Sequence, residues 1–142
     1  MKNLLIFVLL QLASCSILAR DFVIITLNDE IKPLRTNQVK MLYRGRVTHL
    51  DGIPARLMDL PNHSENRQLF YKTLLNKSPT QMNAIWARQS FSGKALAPFE
   101  IPQENLELIV TWLKDNPNGI AYVPEEQVPE DVRVIYYLKS KG

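Results

Sequence analysis

The chain has 142 residues, 46% of them apolar, 22% charged and 8% aromatic, with a formal net charge of +3. This balance fits one ordinary globular domain and excludes a disordered chain, while the length excludes two full-size domains enclosing a cleft. A single cysteine rules out a disulfide framework or a Cys-rich zinc site, and two distant histidines, His49 and His63, leave little for a His-based metal site. Composition therefore predicts no metal, no cofactor and no catalytic set, and a small binding or interaction domain before an enzyme.

The chain opens on Met1-Lys2-Asn3, followed by the apolar run Leu4 to Leu10 and small residues. A membrane span needs about 20 apolar residues, and this run is far shorter. A charged start, a short apolar core and small residues describe a secretory signal peptide. Cleavage after Ala19 places residues 20–142 in the periplasm of a bacterium as one domain. Leu12-Ala13-Ser14-Cys15 also resembles a lipobox, which makes a lipoprotein anchored through Cys15 the alternative. Export directs the chain away from nucleic acid, so nucleic acid is not an expected partner.

Beyond the leader, Phe22 to Leu27 is a continuous, largely β-branched run and reads as a buried strand. Thr36 is placed to cap a helix from Asn37 to about Tyr43, with Val39, Leu42 and Tyr43 inward and a stop near Gly45. His49 to Gly52 is a turn, and Ala55 to Met58 a short strand. The loop Pro61 to Ser64 leads into a helix from about Glu65 to Leu75 whose inner stripe is Leu69, Phe70, Thr73 and Leu74. Ser78-Pro79-Thr80-Gln81 starts the next helix: Ser caps, Pro takes the first turn and Gln closes a capping box. Met82, Ile85, Trp86 and Gln89 share one face of it. Ser90 to Pro102 is read as irregular. Gln103 to Asp115 is helical, with Leu106, Ile109, Val110 and Leu113 inward. Ile120 to Val123 is a buried strand, Pro124 to Asp131 a loop, and Val132 to Tyr137 the last strand. Strands alternating with helices predict an α/β class with a small mixed or largely parallel sheet flanked by helices.

Charge is uneven along the chain. Between Lys32 and Met58 six Lys and Arg residues stand against Asp51 alone, and between Glu100 and Asp131 eight acidic residues stand against Lys114 alone. The basic stretch suits anions; both stretches are also what solvated surfaces look like.

Four blocks in this order resemble phosphate-binding proteins of bacterial ABC transporters. Leu34 to Gly45 is similar to the helix "Leu-Ser-x-x-Gln-Leu-x-x-Ile-Phe-x-Gly", and the basic turn Arg46 to Gly52 to "Lys-x-x-x-Trp-x-x-Gly". Trp86 to Gly93 is similar to "Trp … Phe-x-Gly", and Asn116 to Val123 to "Pro-Gly-x-Ile-Gly-Tyr-Val". The resemblance runs from about Phe22 to Tyr137. It implies one lobe, the second, of a type-2 periplasmic binding protein, a family whose full-length members close two lobes on an anion. Members hold phosphate at a helix N-terminus carrying Ser-Gly-Thr, with an Arg nearby. The matching segment here is His63-Ser64-Glu65-Asn66-Arg67. Ser64 keeps the hydroxyl, Asn66 is a donor and Arg67 is suited to an oxyanion. Glu65 departs from the pattern by placing a carboxylate where the family has glycine. Read from the residues alone, Ser64 equally caps the helix, Glu65 complements its dipole and Arg67 is solvated.

Two functions stay open. One is a solute-binding module for phosphate or another small anion. The other is an interaction module that docks on an envelope or inner-membrane sensor protein without a solute. Two chains pairing as a homodimer would rebuild a cleft. Export predicts that intact mass of the envelope fraction shows a chain shortened by its leader, or one carrying lipid on Cys15; a full-length cytoplasmic species contradicts it.

Overall fold

A computed structural model describes residues 19–141. Residues 1–18, which include Cys15 and all of the expected leader before Ala19, lie outside the described residues. Strand β1 (Phe22–Thr26), helix α1 (Thr36–Tyr43), the short strands β2 (His49–Leu50) and β3 (Ile53–Pro54), and β4 (Arg56–Asp59) come first. They are followed by α2 (Glu65–Leu75), α3 (Pro79–Phe91), β5 (Phe99–Glu100), α4 (Leu106–Asp115), β6 (Gly119–Pro124) and β7 (Arg133–Leu138). A 3-10 turn, Glu125–Gln127, links β6 to the last segment.

Five strands form one mixed sheet in the order β5-β4-β6-β1-β7. β4 pairs parallel with β5 and β6, whereas β1 runs antiparallel to β6 and β7 on its two sides. All five residues of β1 and all six of β6 are buried, as an apolar run without alternation requires of central strands. This is the α/β class with a mixed sheet that the alternation of elements predicts.

The core is dominated by aromatic rings. Phe70 of α2 stacks on Tyr122 of β6 with ring centroids 3.7 Å apart, and Phe22, Tyr43 and Tyr71 meet this pair edge-on. Such pairs add to the burial of large apolar area.

Several local expectations change. The cap of α1 is Arg35, whose N–H donates to the Gln38 side chain; Thr36 is the first helical residue and its hydroxyl accepts from Tyr136. The turn at His49 to Gly52 is the tip of a two-stranded hairpin, β2 with β3. Asp51 and Gly52 both take positive φ there, as the tightest hairpins demand. The inner stripe of α2 is rotated: Arg67, Phe70, Tyr71, Leu74 and Leu75 are buried, whereas Leu69 and Thr73 lie at the margin. The irregular stretch after Ser90 holds the end of α3 and the edge strand β5, which pairs with β4. α4 starts at Leu106 with Asn105 as its cap; Leu106 is exposed, and Trp112 joins Ile109 and Leu113 inside.

Trp86 sits in the core at 6% exposure. It lies directly under Gly45, where a Cβ would come within 2.8 Å of the indole ring, and the φ of +68° there also suits glycine. Helix α1 can therefore end on α3 only through a residue without a side chain. Trp86→Ala is expected to cost about 3–5 kcal/mol in urea unfolding, as for a large-to-small core change; a loss below about 1 kcal/mol would remove Trp86 from the core.

Candidate functional site

The segment His63 to Arg67 forms the entry to α2, and it does so for local reasons. Ser64 has extended backbone, and its Oγ accepts from the Arg67 N–H at 3.2 Å, the standard N-cap bond. Glu65 follows in the first turn, exposed to solvent. His63 is also exposed.

The N-terminus of α2 faces a carboxylate, though not that of Glu65. The Ser64 hydroxyl donates to Glu104 Oε2 at 3.0 Å, and Asn66 Nδ2 donates to Glu104 Oε1 at 2.6 Å. Both oxygens of one carboxylate are thus held by the hydroxyl and amide of the segment, at the positive end of a helix dipole. Asn66 is oriented for this by Arg20, whose guanidinium donates to Asn66 Oδ1 at 2.8 Å. A second carboxylate, Glu100, accepts from the backbone N–H of Asn62. Glu100 and Glu104 come from β5 and the loop before α4, both close in space to the Pro61–Ser64 loop because β5 pairs with β4.

Arg67 points inward and is 7% exposed. Its Nη1 donates to the Leu60 carbonyl at 2.8 Å and lies 3.4 Å from Glu100; its Nη2 donates to Asn83 Oδ1 at 3.1 Å. Its Nε is 3.6 Å from Asp59. A solvated Arg67 is therefore not what the fold contains: the guanidinium is a buried tie between β4, α2 and α3. Ser64, Asn66 and Glu104 meet at the helix end, while Arg67 belongs to a neighbouring inner network.

Asp59 anchors that network. It is 2% exposed, at the end of β4, and accepts hydrogen bonds from Tyr71 of α2, at 2.7 Å, and from Tyr122 of β6. Burial raises the Asp59 carboxyl above its ordinary value, against the opposing pull of Arg67 and of the Tyr122 and Tyr71 hydroxyls. Burial, reinforced by the charge of Asp59, pushes the hydroxyls of Tyr43, Tyr71 and Tyr122 well above the usual phenol value. These tyrosines therefore remain protonated at physiological pH, with Tyr71 and Tyr122 donating to Asp59. Among the described residues no group of three or more His, Cys, Asp or Glu is placed to hold a metal ion, and no helix is long and apolar enough to cross a membrane.

Residue types alone do not single out Glu104, Glu100, Arg20, Asn83 or Asp59. Glu100 and Glu104 belong to the acidic stretch visible in the sequence, but their partners lie 33–40 positions away. Nothing local pairs them with Ser64.

The chain shares its fold with phosphate-binding proteins. It superposes with a TM-score of 0.60 and 19% identity on a substrate-binding protein of the phosphate ABC transporter type from Clostridium perfringens, a structure with bound phosphate. It superposes with a TM-score of 0.59 and 12% identity on an ABC-type phosphate transport receptor from Vibrio cholerae. Each likeness covers 82% of this chain, but only 44% and 46% of the respective relative, so the chain spans less than half the length of either. No family model matches the sequence, and no curated protein matches it significantly. At these identities the likeness is one of fold.

The raised Asp59 carboxyl sets a pH dependence. The folded chain holds this proton to higher pH than the unfolded chain, whose carboxyl titrates near 3.8. Its contribution to stability is fully present below that value and declines as pH rises through the raised one. In Asp59→Asn this component is absent. Urea unfolding from acid to neutral pH should therefore show wild type losing stability relative to Asp59→Asn, by at most about 1.4 kcal/mol per pH unit. A difference that moves the other way would mean that Arg67 and the tyrosines outweigh burial.

Proposed function

We propose that this chain is an exported, non-enzymatic binding protein that takes phosphate or a similar small oxyanion at the N-terminus of α2, in competition with its own Glu104. One observation carries the reading: both oxygens of a carboxylate are already held there, by the hydroxyl of Ser64 and the amide of Asn66. A helix N-terminus with a hydroxyl and an amide donor is an oxyanion cradle whatever the source of the oxyanion. The fold shared with phosphate-binding proteins supports the choice of phosphate, and the leader-like start supports the periplasm.

Energetically the site is self-competing. Glu104 is tethered, so its local concentration at the cradle far exceeds that of a free ion. A phosphate must displace it and then meets Glu100 and Glu65 close by. Arg67 is occupied by Asp59, Leu60 and Glu100 and is a positioning residue for the Pro61–Ser64 loop. A wall supplied by a second copy or by another protein would exclude water from the ligand and strengthen its hydrogen bonds.

The second reading, an interaction module that docks on an envelope or inner-membrane protein without solute, is favoured by the same carboxylates. If Glu104 and Glu100 are permanent occupants, they complete the helix end instead of guarding it.

Calorimetric titration with phosphate separates the two. Glu104→Ala removes the competing carboxylate, and phosphate should bind this variant about tenfold tighter than wild type, the equivalent of about 1.4 kcal/mol. Adding Ser64→Ala should abolish the gain. No heat and no shift in melting temperature with millimolar phosphate, in either wild type or Glu104→Ala, would remove the solute-binding reading and leave the interaction module.

A further inference from the structure

The other end of α2 has the opposite electrostatic character. Helix α2 has 11 residues and so separates its two ends by about 16 Å. Beyond its C-terminus, Arg44, Arg46, Lys77, Arg88 and Lys94 line one open groove of about 900 Å³. They come from the end of α1, the turn after it, the α2–α3 link, the outer face of α3 and the turn that follows. No carboxylate lines this groove, and none of the five cations is ion-paired among the described residues. The Nε of Arg44 is buried and has no hydrogen-bond partner among the described residues. A neighbouring recess of about 540 Å³ shares Arg44 and adds Lys40, Lys72 and Lys141, with no Asp or Glu among the described residues that line it.

Two features make this more than a solvated surface. Like charges gathered in a groove without counter-charges repel one another and destabilise the compact state, unless an anion neutralises them. The α1 C-terminus also opens on the groove, and its free carbonyls would repel an anion. Those of Lys40, Met41 and Leu42 accept from the N–H groups of Arg44, Arg46 and Gly45, and just past the helix Gln89 Nε2 donates to the Gly45 carbonyl at 3.0 Å and reaches the Arg44 carbonyl at 3.5 Å. Gly45, where a Cβ would strike Trp86, lets the end of α1 sit directly on α3 beside the groove.

We propose that this groove is a second anion site, independent of the α2 N-terminus, and that it binds a polyanion carrying two or more phosphate groups. A single small oxyanion fits a cradle of two or three donors. Five cations from five places along the chain match a ligand whose charges are spread. Arginine forks hold phosphate oxygens in pairs, and the lysines add point charge at the margin. The phosphates belong either to a free oligophosphate or to the headgroups of an anionic lipid surface, and the chemistry of recognition is the same.

The test uses the full chain with two probes, tripolyphosphate and phosphatidylcholine vesicles with or without cardiolipin. Arg46, Arg88 and Lys94 are exposed, so Arg46→Gln/Arg88→Gln/Lys94→Gln should keep the fold, checked by circular dichroism and melting temperature. Wild type should bind at least one probe, with affinity falling as salt rises. The triple variant should bind it at least about tenfold more weakly and with a shallower salt dependence, because fewer ions are released. A charge-matched control, Lys32→Gln/Arg35→Gln/Lys114→Gln, should bind as wild type does. Binding of tripolyphosphate assigns a free polyanion; binding of cardiolipin vesicles alone assigns a lipid surface. The proposal is overturned if neither probe binds, if the triple variant matches wild type, or if the control loses as much as the triple variant.

Discussion

A single buried carboxylate ties this fold together. Asp59 ends β4 inside the protein and accepts from hydroxyls on β6 and α2, with the Arg67 guanidinium beside it. A charge in that position is costly unless it is paired and hydrogen-bonded. The requirement constrains three elements at once. Tyr122 must stand on β6 opposite β4, Tyr71 must face inward from α2, and Arg67 must lie one turn before Tyr71 on the same face. This explains why the inner stripe of α2 includes a charged residue and a tyrosine where simple hydrophobic periodicity favours Leu69 and Thr73. It also explains the stacking of Phe70 on Tyr122, since α2 and β6 are already held in register by Asp59.

The position of α2 has consequences at both of its ends. Arg67 holds the Leu60 carbonyl and Asn83, and so shapes the Pro61–Ser64 loop that presents Ser64 and Asn66. The edge strand β5 pairs with β4 and brings Glu100 and Glu104 to that loop. The negative side chains therefore collect where the helix dipole is positive, and the cations collect beyond the other end, where it is negative. The polarity of charge follows the polarity of the helix, and the protein has two chemically distinct faces about one helix length apart.

Phosphate-binding proteins with this fold are more than twice as long as the portion that this chain matches. A fold alone does not carry a ligand, because function resides in the side chains at a site. Here Ser64 and Asn66 bring a hydroxyl and an amide donor together at the α2 N-terminus. The carboxylate of Glu104 is what distinguishes this helix end from an open cradle.

The sequence alone determined the class and the order and most bounds of the four helices and of β1, β4, β6 and β7, whereas the short strands β2, β3 and β5 were hidden in a turn and an irregular stretch. Apolar runs without alternation predict the central strands, and the Ser-Pro-Thr-Gln start and the Ser64 cap predict α3 and α2. These signals are local: each depends on periodicity or on a side chain bonding to backbone three residues away. The segment His63 to Arg67 was legible as a helix entry for the same reason. Only the tertiary structure decided what that entry faces. Glu104 meets Ser64 across 40 positions and Tyr122 meets Asp59 across 63, and no local pattern encodes such pairings. The basic groove was half visible: Arg44 and Arg46 belong to a basic stretch, whereas Lys77, Arg88 and Lys94 join them only because α3 packs against the end of α1 at Gly45. Local hydrogen bonding and periodicity are written along the chain, while contacts between distant residues depend on the sheet order and on how each helix is rotated when its polar groups are buried.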